Sequence, residues 1–116
     1  MVPAPFRVSS EEEGGAFVVQ VEGELDMNTA AQLEHELEKP LAAADAALLI
    51  DLSHCEFIDS TGIALIVRAW RALDRDGRFA LCGVGDQVAR VLGVTGLDAT
   101  IPNHPSREDA LAQLRG

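Results

Sequence analysis

Phe17, Val19 and Val21 alternate with Ala16, Val18 and Gln20, a two-residue period in a β-branched stretch that predicts a strand. Phe6 to Ser9 reads as its shorter partner, joined across Glu11 to Gly15, where three glutamates and two glycines suit an exposed hairpin connection. Thr29-Ala30-Ala31-Gln32 then has the form of a capping box, and Leu33, Leu37 and Leu41 follow at a four-residue spacing. An amphipathic helix is expected there, broken near Lys39-Pro40, because proline removes a backbone donor and disfavours helix in the residue before it. Ala46 to Ile50 is apolar at every position, as a central strand covered on both faces should be, and Asp51 closes the run. After a short loop, Ile63, Ile66, Val67, Trp70 and Leu73 form the clearest helical stripe in the chain, ending near Asp76-Gly77. Phe79 to Cys82 predicts a further short strand, Asp86 to Leu92 a helix and Leu97 to Ile101 an edge strand. Ser106 to Asp109 caps a last helix reaching Arg115.

Strands separated by helices require crossover connections, so the expected fold class is α/β, with a mixed, mostly parallel sheet and about four helices. The chain has 116 residues, 47% hydrophobic and 24% charged, close to globular averages. No repeat or linker divides it, and one domain over residues 1–116 with its core in about 6–114 is expected.

Charge narrows the possible partners. Nineteen acids against nine bases give a net charge of −10, which repels phosphate backbones and anionic lipid surfaces, so neither nucleic acid nor a membrane is expected as a partner. The imbalance is uneven: residues 1–38 hold nine acids and one base, whereas residues 39–116 hold ten acids and eight bases. No apolar run is long enough to span a membrane and the first ten residues lack the pattern of a signal peptide, so a cytoplasmic location is expected. Cys55 and Cys82, the only cysteines, have no metal-ligand spacing to His35, His54 or His104, and they read as core thiols. His54 and Cys55 are adjacent in an extended segment and point opposite ways, which argues against a nucleophile and base. No metal or cofactor is expected.

Two loops invite a functional reading. Gly83-Val84-Gly85 leads from a strand toward a helix, but Val88 stands where a dinucleotide fingerprint has its third glycine, so a plain turn is the better reading. Ile58-Asp59-Ser60-Thr61-Gly62 delivers three polar side chains to the first turn of the best helix, where α/β proteins place their sites. A serine hydrolase would make Ser60 a nucleophile on a strained elbow. Ile58 stands where that elbow has glycine, and neither His35 nor His104 offers a credible base. Either Asp59 or Ser60 can cap the helix by accepting a backbone N–H bond, and Ser60 at a helix start is also well placed to carry a phosphate. Arg68, Arg71, Arg75 and Arg78 form a basic series along and beyond that helix. With Leu65 facing outward, the series reads either as a surface for an acidic partner or as a solvated face. Trp70 belongs by spacing to the buried stripe.

The stretch Ile50-Asp51-Leu52-Ser53, then Phe57-Ile58-Asp59-Ser60-Thr61-Gly62-Ile63-Ala64-Leu65-Ile66, resembles the signature of the bacterial anti-sigma factor antagonists of the STAS domain family. Gly23-Glu24-Leu25-Asp26 with Thr29-Ala30 resembles that family's second recurring segment, and the likeness spans roughly residues 6 to 114. The resemblance implies a non-enzymatic phospho-switch. The serine after the motif aspartate, here Ser60, would be phosphorylated by a partner that is both anti-sigma factor and serine kinase, and a phosphatase would restore it. Unphosphorylated, the protein would bind the anti-sigma factor and free sigma for transcription. The resemblance assigns partner binding to Asp26, Asn28, Asp59, Ser60, Thr61 and Gly62, with Leu65 added from the helix, and Thr61 stands where a second serine is frequent. Within the same family the alternative role is a scaffold or adaptor of a stress-signalling complex or lipid transporter.

Overall fold

The computed structural model describes residues 5–43, 45–73 and 77–115. Along the chain lie β1 (Arg7–Glu13), β2 (Ala16–Leu25), α1 (Ala30–Ala42), β3 (Ala47–Ile58), α2 (Ser60–Leu73), β4 (Phe79–Cys82), α3 (Asp86–Thr95), β5 (Asn103–His104) and α4 (Arg107–Arg115). The five strands form one sheet in sequence order, with β1 antiparallel to β2 and every later pairing parallel. The expected α/β architecture is therefore present.

Two helical layers of unequal size cover the sheet. Phe17, Val19, Val21, Leu48, Ile50 and Leu52 point to the side covered by α1, α2 and α3, where the larger core lies. Val18, Leu49, Ala80 and Cys82 point the other way and meet Ala110 and Leu111 of α4 in a smaller core. This two-sided burial explains why Ala46 to Ile50 is apolar at successive positions.

Several boundaries differ from expectation. The glutamates Glu11 to Glu13 belong to β1, and the connection shrinks to Gly14-Gly15, whose φ values of 60° and 83° suit a tight hairpin turn. The Thr29 hydroxyl does not close a capping box. It donates to Glu24 O at 2.8 Å and accepts from Asp26 N–H at 2.9 Å, pinning the loop before α1. Pro40 lies inside α1 without breaking it: its missing donor falls in the last turn and its ring is buried. The strand β3 runs on past Asp51 to Ile58, because β2 is long enough to pair with it as far as Leu25. Leu97 to Ile101 is not a strand. Leu97–Ala99 form a 3₁₀ turn, and the edge strand is the shorter Asn103–His104. Arg75, and the expected end of α2 around Asp76, lie outside the described residues.

A second unanticipated feature is a polar chain across the α4 side of the sheet. Gln20 opposes Asp51 and Glu22 opposes His54, so β3 carries one residue more than β2 over this interval, and His54 Nδ1 there lies 3.2 Å from both Ser53 Oγ and Gln20 Nε2. Asp51 is the one buried charged side chain among the described residues. Its carboxylate accepts from the Ser53 hydroxyl at 2.6 Å and from Arg107 Nη2 at 2.9 Å. Arg107 Nη1 reaches Glu11 at 2.8 Å and Glu13 at 3.3 Å. Burial alone would raise the Asp51 pKa; the Ser53 hydroxyl and N–H, then Arg107, outweigh it and hold the carboxyl below its ordinary value.

A depressed folded-state pKa contributes stability above the unfolded value and loses it as pH falls through the folded one. Acid titration of unfolding free energy should thus steepen below about pH 4 in the wild type and flatten in Asp51→Asn. Arg107→Ala, which leaves that carboxylate buried without its cation, should cost about 2–4 kcal/mol in denaturant unfolding, since Arg107 itself is only partly buried. Matching acid slopes in wild type and Asp51→Asn would mean that Asp51 is not held as a charged group.

Candidate functional site

Parallel pairing ends β2 and β3 side by side, with Leu25 opposite Ile58, and Asp59 N–H extends the ladder by donating to Leu25 O at 3.2 Å. Each strand then passes through an aspartate into a helix. Asp26 Oδ1 accepts from Asn28 N–H at 2.9 Å and Thr29 N–H at 3.2 Å, while Asp26 O takes the Ala30 N–H at 2.8 Å. Asp59 Oδ1 accepts from Thr61 N–H at 2.9 Å and Gly62 N–H at 3.2 Å. Two helix starts therefore open onto one rim, with the Asp59 carboxylate on the free backbone donors of α2 and the Asp26 carboxylate bracing the turn that leads into α1.

This arrangement settles which residue caps α2. Asp59 does so, and the Ser60 hydroxyl is exposed with no hydrogen bond among the described residues. Thr61 and Asn28 also present exposed side chains, and Asp26 is half-buried. Gly62 and Leu65 are different. A Cβ on Gly62 would lie 2.7 Å from Leu25 Cγ and 2.8 Å from Ile58 Cγ1, so glycine here lets α2 sit directly on the strand ends. Leu65, expected to face outward, is 7% exposed and belongs to the main core, because its position on α2 turns it inward beside Ile66. Both serve packing. Trp70 is half-buried against the same core, as its spacing implied.

The linear sequence did not reveal Gln87. Its side-chain amide accepts from Ile58 N–H at 2.9 Å and donates to Ile58 O at 3.2 Å, copying the pairing of a neighbouring strand. Because β4 stops at Cys82, opposite Asp51, the far end of β3 has no strand on that side. Gln87, half-buried at the start of α3, fills the gap one residue before Asp59. The cue available in sequence is only that β4 is too short to accompany β3. The thiols offer little chemistry. Cys55 donates to Phe57 O at 3.3 Å, and burial pushes the Cys82 thiol up to about 12, with the Asp51 charge adding to it. His54 is exposed while Cys55 is buried, so they do not act as a pair. Among the described residues no cluster of three His, Cys, Asp or Glu could hold a metal ion, and no helix is long and apolar enough to cross a membrane.

Gln87→Ala should lower stability by about 1–2 kcal/mol and speed hydrogen exchange at the Ile58 amide. Unchanged exchange at Ile58, measured by NMR, would remove Gln87 from the support of this rim.

Comparison with known proteins places the whole arrangement. A family model described as the STAS domain matches residues 7–110. The anti-sigma-F factor antagonist RsfB of Mycobacterium tuberculosis is 31% identical over 114 residues, covering 98% of this chain and 93% of that protein. The anti-sigma-B factor antagonist of Staphylococcus aureus is 33% identical over 82 residues, 70% of this chain and 76% of that one. The crystal structure of an anti-sigma factor antagonist from Mycobacterium paratuberculosis superposes with a TM-score of 0.90 at 35% identity, covering 99% of this chain and 100% of that one. The matched span takes in all five strands and the rim formed by Asp26 and Asp59, and the chain belongs to the STAS domain family.

Proposed function

We propose that this protein is an anti-sigma factor antagonist controlled by phosphorylation of Ser60. The partner is an anti-sigma factor that is also an ATP-dependent serine kinase. It is bound while Ser60 is free and released when Ser60 carries phosphate, and a phosphatase reverses the modification. The observation that carries this reading is the division of labour at the start of α2, where Asp59 makes the capping bonds and leaves the Ser60 hydroxyl exposed and unengaged. A residue that the fold does not use can be modified without loss of the fold. The names of the relatives, regulators and not enzymes, support the same function class.

The physical size of such a switch follows from charge. A phosphate adds about −1.5 to −2 charges at neutral pH. At the first residue of α2 its cost to the monomer is offset by the positive end of a 14-residue helix. In an interface the same group must be desolvated beside Asp59 and the half-buried Asp26. A difference of about 3 kcal/mol between the two settings reduces affinity by about a hundredfold.

Incubation with kinase-type anti-sigma factors and ATP, followed by mass spectrometry, should place phosphate on Ser60. Ser60→Ala should keep partner affinity and Ser60→Asp should lose about a hundredfold, with thermal midpoints within a few degrees of wild type. Phosphate found only on Thr61 or elsewhere, or equal binding by the two variants, would sink the proposal.

A further inference from the structure

Beside Ser60 the surface opens into a groove of about 740 Å³ between α2 and α3. Its lining is mostly apolar, with Ile58, Ala64, Val67 and Val91 along its length, Ser60 at one end and Arg71 toward the other. Val94 lies one helical turn beyond Val91 and is 83% exposed, so the apolar surface continues past the groove. Three charged residues line it: Asp59 at the Ser60 end, its Oδ1 taken up by the first N–H groups of α2, and Arg68 and Arg71 along α2, so the groove away from Ser60 is cationic in a chain of net charge −10. The two arginines are not equivalent. Arg68 is committed within the molecule, 2.6 Å from Glu34 of α1, whereas Arg71 is exposed and makes no ion pair among the described residues.

We propose that this groove receives a helical segment of the anti-sigma factor, laid lengthwise with its apolar face down and an acidic residue against Arg71. The inference rests on the proposed function and adds the chemistry of the partner's contact. Two features select this occupant. The groove is open to solvent along its length, so a small molecule would keep much of its surface wet, whereas a helix of matching length would cover the apolar lining. The uncommitted cation then selects for a carboxylate on that helix, because burying Arg71 without a counter-charge would be costly.

The two ends of the groove act independently. Ser60 and Arg71 are 11 positions apart on one helix, about 16 Å along its axis, which exceeds the screening length of about 8 Å at physiological salt. Phosphate on Ser60 therefore works on the partner at one end, and Arg71 attracts it at the other, without either cancelling the other directly.

The test uses the anti-sigma factor that phosphorylates Ser60 as the probe and measures its affinity for wild type, Ser60→Asp, Arg71→Glu and the double variant at two salt concentrations. Arg71→Glu should weaken binding about tenfold and flatten the salt dependence, and its effect should multiply with that of Ser60→Asp. Ala64→Glu, which puts a charge on the apolar floor, should also weaken binding, with its fold checked by circular dichroism. Wild-type affinity in both Arg71→Glu and Ala64→Glu would overturn the groove assignment while leaving a Ser60 switch intact. Loss of the Ser60→Asp effect with Arg71→Glu still weak would instead strike at the switch. A concentration-dependent dimer in light scattering that Ala64→Glu abolishes would make the occupant a second copy of this chain, and that too would overturn the proposal.

Discussion

The parallel register of β2 against β3 is the constraint from which the rest of this molecule follows. It aligns Leu25 with Ile58, so both strands end at one level and both following helices start there. The Asp59 N–H to Leu25 O bond carries the ladder one step beyond the sheet and ties the loop before α2 to the loop before α1. Gly62 permits the close approach that this register demands, and Gln87 supplies the pairing that β4 is too short to give. The rim is thus built from backbone geometry, with side chains filling the few places where the sheet runs out.

A separate logic governs the charges. Most of the acidic excess lies before residue 39, and part of it is used: Glu11 and Glu13 meet Arg107, which also holds the buried Asp51. Glu34 likewise meets Arg68. These pairs join parts of the chain distant in sequence, β1 with α4 and α1 with α2. Arg71 remains outside them, as do the exposed Arg7, Lys39 and Arg90, but of these four it alone lines the groove beside Ser60.

Period and composition made the element order legible, because burial on one face imposes alternation in strands such as β2 and a helical stripe on α2. The boundaries were harder to read, and each difference has a local cause. Asp51 looks like the end of a strand because a charge rarely sits in a core; its counter-charge, Arg107, lies 56 positions away and leaves no local trace. Thr29 has the spacing of a capping box, but its hydroxyl finds the Glu24 carbonyl instead. Pro40 reads as a break, yet a helix tolerates it where the ladder is already ending. Of the rim, Asp59 and Ser60 were identifiable from their place between a strand and the best helix, and Asp26 only through the family resemblance. The inward turn of Leu65 and the support given by Gln87 depend on how helices sit on the sheet, which one sequence does not state.

The Arg107 clasp has a further consequence, in time and not in equilibrium. Its contacts with Glu11 and Glu13 span 96 and 94 positions, among the longest closures the chain can make, and they require the β1/β2 hairpin, β3 and α4 to be in place already. Closing so long a loop costs chain entropy before the contact returns any of it. If such contacts close only after the folding barrier, they leave the speed of folding unchanged and their whole effect falls on the rate at which the folded molecule comes apart.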